Sequence, residues 1–358
     1  MNPKIGYRET AAALTIFSLS PALLFLVGEN TSILGSGAWI NSLFCFIVSL
    51  VIIPLCRAYF LHFEKNNIID SVCCEFGMIS GILVGIIMFS GLVVSGALFF
   101  REYLSKISDM TMGRFNAEYV SVFVIIVCTV CAYLGIEALS RQSYLILGFS
   151  FVLIFALFAI TLAGWNKDNF YPVLGQKASR IFTEYSCFGV NIGLLPYFLV
   201  CDMIKNEKNS VHCITKIVTV SHVLMFILFI IYTATVPYPM SNFFDNSLEA
   251  IFASASSGEV MHRFDIFLLA LYMSFMVFTV SLVLSVASRI FFLIFGGDVK
   301  IYILAVAVIL YNLSYLDFGF FSLRILSLAM FLFAFGLIVI LILFKMIKNK
   351  TRNRGESS

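Results

Sequence analysis

Two short stretches of this chain join main-chain breakers to hydroxyl and amide side chains. The first is Ser18-Leu19-Ser20-Pro21-Ala22, and the second is Phe188-Gly189-Val190-Asn191-Ile192-Gly193, followed by Pro196. Proline has no N–H and its ring clashes with the preceding helical turn, so Pro21 opens the hydrogen-bond ladder there. Two glycines, an amide and a proline so close together disfavour continuous helix at the second stretch. Freed N–H groups and the positive end of a half-helix suit a carboxylate, while freed carbonyls suit an ammonium. A zwitterionic amino acid matches that pair of ends. Ser90 and Ser95 in one apolar stretch, and Tyr272, Ser274, Thr279, Ser281 and Ser285 in another, are further polar groups at the right depth. Single Ser and Gly residues serve equally well as helix-packing residues. The candidate ligand-binding set is Ser18, Ser20, Pro21, Ala22, Ser90, Ser95, Phe188, Gly189, Asn191, Gly193, Tyr272 and Ser274.

Other chemistry finds little footing. His62, His212, His222 and His262 form no H-x-x-x-H pattern and no His–acid pair within an apolar run, and Walker and dinucleotide motifs are absent. Catalysis is therefore not expected. Cys128 and Cys131 form a C-x-x-C, but no histidine or second pair stands nearby, so neither a zinc site nor a redox site, and no cofactor, is expected. No acidic residue lies deep in an apolar run, which argues against proton-coupled pumping.

The elements that must position these residues are set by composition. Of 358 residues 61% are hydrophobic and 12% charged, with a mean hydropathy of +1.00. No soluble core buries so much apolar surface beneath a wettable exterior, so lipid is the expected solvent, and a nucleic-acid partner is excluded by a net charge of only +3. Ten runs free of Asp, Glu, Lys and Arg approach the roughly 20 residues a helix needs to cross hydrocarbon. They are Thr10–Gly28, Asn30–Cys56, Phe76–Phe100, Tyr119–Ile136, Gln142–Asn166, Tyr185–Cys201, Ile217–Phe244, Ile266–Ser288, Ile301–Leu316 and Ile325–Phe344. None alternates in polarity as barrel strands do, so an all-α integral membrane protein is expected. The first run is long for a signal peptide and is expected to remain as a helix. Most of the 23 basic residues fall on the side that would hold both termini, which places the termini in the cytoplasm. Leu248–Phe252, between the seventh and eighth runs, is expected to form a short interfacial helix.

The two breaker stretches fall in the first and sixth of ten runs, at equivalent positions of two five-helix halves. That is the pattern of an inverted-repeat transporter, with ligand held where interrupted helices meet at the midplane. The expected organisation is one polytopic permease-like domain, 1–345, with halves 8–166 and 181–345, and a basic tail, 346–358.

Several further segments carry a resemblance: Lys4-Ile5-Gly6-Tyr7-Arg8-Glu9, Ala22-Leu23-Leu24-Phe25-Leu26, Ala38-Trp39-Ile40, Gly135-Ile136-Glu137-Ala138-Leu139-Ser140-Arg141, Tyr171-Pro172-Val173-Leu174-Gly175, Arg263-Phe264-Asp265 and Ala287-Ser288-Arg289. In order and spacing they resemble the spore germination permeases, the B-type subunits of bacterial spore germinant receptors, within the amino acid–polyamine–organocation superfamily. The resemblance implies a ten-helix LeuT-like fold with helices 1 and 6 broken, in the spore inner membrane. It also implies a nutrient-sensing role alongside an A-type membrane subunit and a C-type lipoprotein. The pocket would lie between the two breaks, faced by helices 3 and 8. Ser20 stands where the family often has glycine, and Val190 where an acidic residue commonly follows Phe-Gly. Two other functions fit the same pattern: an active amino-acid transporter coupled to protons or sodium, and a structural or ion-conducting subunit that binds no small molecule.

Overall fold

In hydrocarbon every backbone N–H and C=O must find its partner within the protein, and helices meet that demand segment by segment. The computed structural model describes residues 5–63, 67–111, 117–175, 178–204, 210–241, 244, 247–255, 264–316 and 323–355. Lys4 and Arg263 of the resemblance lie outside them. Among the described residues the structure is helical, apart from one parallel bridge between Ile5 and Ile204.

Ten apolar helical segments can be distinguished among the described residues. Segment α1 spans 7–34 as Tyr7–Pro21, a wider turn Ala22–Leu26 and Val27–Leu34; α2 spans 38–62 as Ala38–Ser49 and Ile52–His62. Then come α3 (Met78–Met110), α4 (Ala117–Tyr133), α5 (Ile136–Thr161) and α6 (Leu194–Val200), the last preceded by a 3₁₀ stretch, Ser186–Gly193. The remainder are α7 (Ser210–Thr235), α8 (Phe264–Phe295), α9 (Val299–Ser314) and α10 (Leu323–Gly355). Each of the ten apolar runs overlaps one of these. Among the described residues seven stretches are long and apolar enough to cross a membrane, and α4 and α9 are shorter apolar helices. The first such stretch, Tyr7–His62, has 56 residues, far more than a roughly 30 Å crossing takes, so it must double back. It turns at Gly35, whose φ of 67° is open to glycine and which packs against the Tyr238 ring.

Segment α8 forms the hub, packing on α3, α4, α5 and α9, while α1 packs on α5, α7 and the 3₁₀ stretch. The stretch also lies against α10. Large apolar side chains such as Ile79, Leu145, Phe155 and Ile301 remain exposed, as a lipid-facing surface requires.

Four local outcomes differ from expectation. Segment α3 runs ten residues past Phe100, because Arg101 and Glu102 are good helix formers and add turns beyond the apolar run rather than ending it. The expected interfacial helix exists as Ser247–Ala255, but its Leu248, Ala250 and Ile251 are buried against α7 and the wide turn of α1, so it plugs the bundle. Helix 1 is also not unwound. It stays helical through Pro21, and the ladder shifts register over Ala22–Leu26, where the π turn absorbs the missing N–H. Helix 6 likewise keeps turning, in tighter 3₁₀ form over Ser186–Gly193, before becoming α-helical at Leu194.

Candidate functional site

Segments α1, α3 and α8 meet at the π turn. Ser20 is fully buried and donates to the Ile16 carbonyl at 3.2 Å, so the Thr279 hydroxyl, 2.9 Å away on α8, donates to Ser20. One turn further along α1, the Tyr272 hydroxyl donates to the Leu23 carbonyl at 3.4 Å. That carbonyl lies within the π turn, where the shifted register leaves backbone oxygen accessible to a side chain. The Tyr103 ring of α3 packs edge-on to Tyr272 at 6.1 Å, and its buried hydroxyl, near Ser20 and Thr279, has no hydrogen-bond partner among the described residues. Phe17 and Phe99 close the cluster below with an edge-to-face contact at 5.7 Å. The result is a buried knot of hydroxyls and one main-chain carbonyl, walled by aromatic rings. Such a knot can exchange its internal hydrogen bonds for those of a small polar ligand.

The candidate residues divide among several places. Ser20 and Tyr272 come together in this cluster, and Pro21 and Ala22 lie on the α1 backbone between Ser20 and Leu23. Ser95 is buried on the α3 face that carries Phe99 and Tyr103, with its hydroxyl on the Gly91 carbonyl at 2.7 Å. Ser18 lies one helical face away, buried and without a hydrogen-bond partner among the described residues, where α1 crosses Gly193. A β-carbon at Gly193 would land on the Ser18 hydroxyl and 2.6 Å from the Leu14 carbonyl. Gly189 is less crowded: a β-carbon there would come 2.7 Å from the Ser327 hydroxyl of α10. Neither glycine has a positive φ, so both permit close helix approach rather than unwinding. Phe188 stacks on Phe331 of α10, and the Asn191 amide donates to Ser49 of α2 at 2.9 Å. These two side chains therefore face α2 and α10, away from the hydroxyl knot. Ser90 is exposed on the outer face of α3 and Ser274 is half-buried, each bonded to its own helix.

Five members of the knot stand outside the candidate set: Phe17, Leu23, Phe99, Tyr103 and Thr279. Thr279 stands among the α8 hydroxyls but outside the candidate set. Phe99 and Tyr103 follow Ser95 at four-residue intervals and so share its helix face, but Tyr103 lies beyond the charged pair that seemed to end the run.

Both ends of the site are sealed. At the end carrying the termini, Arg289 pairs with Asp202 at 2.5 Å and donates to the Leu199 carbonyl at 3.0 Å, while the Ile5 amide bonds the Met203 carbonyl at 2.9 Å. At the opposite end Arg324 pairs with Glu184, and Asn41 donates to the Ile181 and Glu184 carbonyls. Asn30 of α1 bonds both Ser186 and Cys187, tying the π-turn helix to the start of the 3₁₀ stretch.

The family model described as spore germination protein matches residues 4–319, most of the chain. The chain belongs to the spore germination protein family. Among the solved structures that share its fold are two transporters. One is MhsT in complex with L-phenylalanine, at a TM-score of 0.67 and 14% identity over 95% of this chain and 89% of that one. The other is a Na⁺-coupled sialic acid symporter in a substrate-bound outward-open state, at a TM-score of 0.65 and 12% identity over 94% of this chain and 78% of that one. This germination-family chain thus has the LeuT-type fold of those two transporters, built from helices apolar enough to cross a membrane. No curated protein sequence matches it.

Proposed function

We propose that this chain is the membrane subunit of a spore germinant receptor, which binds a small nutrient, an amino acid, at the α1–α3–α8 knot. It signals germination together with an A-type membrane subunit and a C-type lipoprotein in the spore inner membrane, with both termini cytoplasmic. The observation that carries this reading is the π turn at Ala22–Leu26, where Tyr272 meets the Leu23 carbonyl beside the Ser20–Thr279 pair. Buried polar groups are costly unless hydrogen-bonded, and the Tyr103 hydroxyl beside this cluster has no partner among the described residues, a place that a ligand would fill. The family match supports a germination role, and the phenylalanine held by MhsT supports an amino acid as ligand. Ligand must favour one arrangement of the bundle over another if partners are to sense it.

The test is Thr279→Val in spores, with the protein at its normal level. The expected result is a loss of nutrient response that Thr279→Ser restores. An unchanged response to every nutrient that triggers the parent strain would remove this pocket from the mechanism. A second reading, sodium-coupled amino-acid uptake, draws on the Na⁺-coupled neighbour. It predicts accumulation of labelled amino acid in proteoliposomes under an inward sodium gradient, and the receptor reading predicts none.

A further inference from the structure

On the side of the π turn away from the chain termini lies a cavity of about 430 Å³, within the usual range for small-molecule sites. Its floor is Leu24 and Phe25 of the π turn itself. Its walls carry three carboxylates, Glu29 from α1 and Glu102 and Asp109 from α3, against one ammonium, that of Lys106. Positions 102, 106 and 109 follow the spacing that puts residues on one helix face, so the extra turns of α3 present all three to the cavity. None of the three carboxylates forms an ion pair among the described residues, and the nearby Arg324 is taken by Glu184. A second, independent feature points to a guest. Ser247, on the plug helix, is 2% exposed and lines this cavity, yet its hydroxyl has no hydrogen-bond partner among the described residues.

We propose that this vestibule is a capture site for small solutes bearing an ammonium group, with Glu29, Glu102 and Asp109 holding the cation and the Ser247 hydroxyl completing its hydrogen bonds. The inference rests on the receptor reading above and gives it an entry step and a charge class. An acidic cleft with low-dielectric walls concentrates cations and repels anions before they reach the closed knot beneath. Amino acids enter by their amine end, and solutes whose amine is blocked are excluded.

The test places a cysteine at the exposed wall residue Ser105 and compares its modification, read at that residue by mass spectrometry, by two methanethiosulfonate reagents in lipid nanodiscs. One reagent carries trimethylammonium and the other sulfonate. The full chain is expected to react at least about tenfold faster with the cationic reagent, and Glu102→Gln with Asp109→Asn is expected to erase that preference. L-Amino acids are expected to slow the modification while their N-acetyl derivatives do not. Equal rates for both reagents, a preference untouched by the double variant, or protection by N-acetyl derivatives would each overturn the assignment. The outcome is separable from that of the receptor reading. A flat reagent ratio with a nutrient response abolished by Thr279→Val condemns the vestibule alone, and a charge-selective vestibule with a Thr279→Val response intact condemns the knot alone.

Discussion

At the scale of single residues, the sharpest constraint is the crossing of α1 and the 3₁₀ stretch. Gly193→Ala puts a methyl group onto the Ser18 hydroxyl and the backbone carbonyl of Leu14, and a carbonyl cannot move aside as a side-chain tip can. The expected cost is about 1–3 kcal/mol of overpacking strain, read as a lower unfolding temperature. Gly336→Ala on α10, with nothing within 4 Å of the added carbon, is expected to be neutral or slightly stabilising in the same assay. Thr279→Val removes the donor to Ser20, and its expected stability cost of about 1 kcal/mol is small beside its effect on ligand response. These residues differ in how readable they were. Ser20 and Gly193 stood out because hydroxyls and glycines are conspicuous in apolar runs. Tyr103 did not, because its role depends on α3 continuing past two charged residues, which composition argues against and packing decides.

At the scale of elements, the decisive event is a change of winding rather than a gap. Pro21 removes one hydrogen bond, and the chain responds with a π turn whose Leu23 carbonyl is met by Tyr272. Tyr272→Phe therefore leaves a buried carbonyl short of a donor. The expected destabilisation is about 1–3 kcal/mol, with greater amide exchange confined to Ala22–Leu26. A proline in a sequence marks where the ladder must yield, but not whether it yields by unwinding or by a register shift. That choice belongs to the neighbouring α3 and α8. At the other extreme of the bundle, Lys345 and Lys348 of α10 clasp Glu75 of the connecting helix Ile68–Phe76 at 2.5 and 2.8 Å. Their hydrogen bonds hold the Glu75 carboxyl below its ordinary value of 4.5. A carboxylate depressed on folding stabilises above its unfolded pKa, and that contribution fades as pH falls through the folded pKa. The unfolding-temperature gap between the parent and Glu75→Gln is thus expected to be constant above pH 4.5 and to close below it.

For the whole molecule, composition and the ten apolar runs already announced a helical membrane protein, because the demand that lipid makes on backbone polar groups leaves no other solution for non-alternating runs. Relative placement was less accessible: Asn191 reads as a pocket residue in one dimension, yet the turn of the 3₁₀ stretch aims it at Ser49. The ion pairs Arg289–Asp202 and Arg324–Glu184 close opposite ends of the bundle. Arg289→Met is expected to speed hydrogen exchange at Ile5 and Ile204 while sparing the far end, and Arg324→Met to do so around Ile181–Ser186 only; exchange that rose at both ends in either variant would show a single coupled gate. The last helix adds a mechanical point. It runs uninterrupted from Ser327, pressed against Gly189, to Lys345 and Lys348 on Glu75, a rod of roughly 30 Å at 1.5 Å per residue. A stiff lever pivoting on so crowded a fulcrum magnifies a slight tilt beside Gly189 into a larger sweep at its basic tip, and any neighbour gripping that tip would feel the stroke.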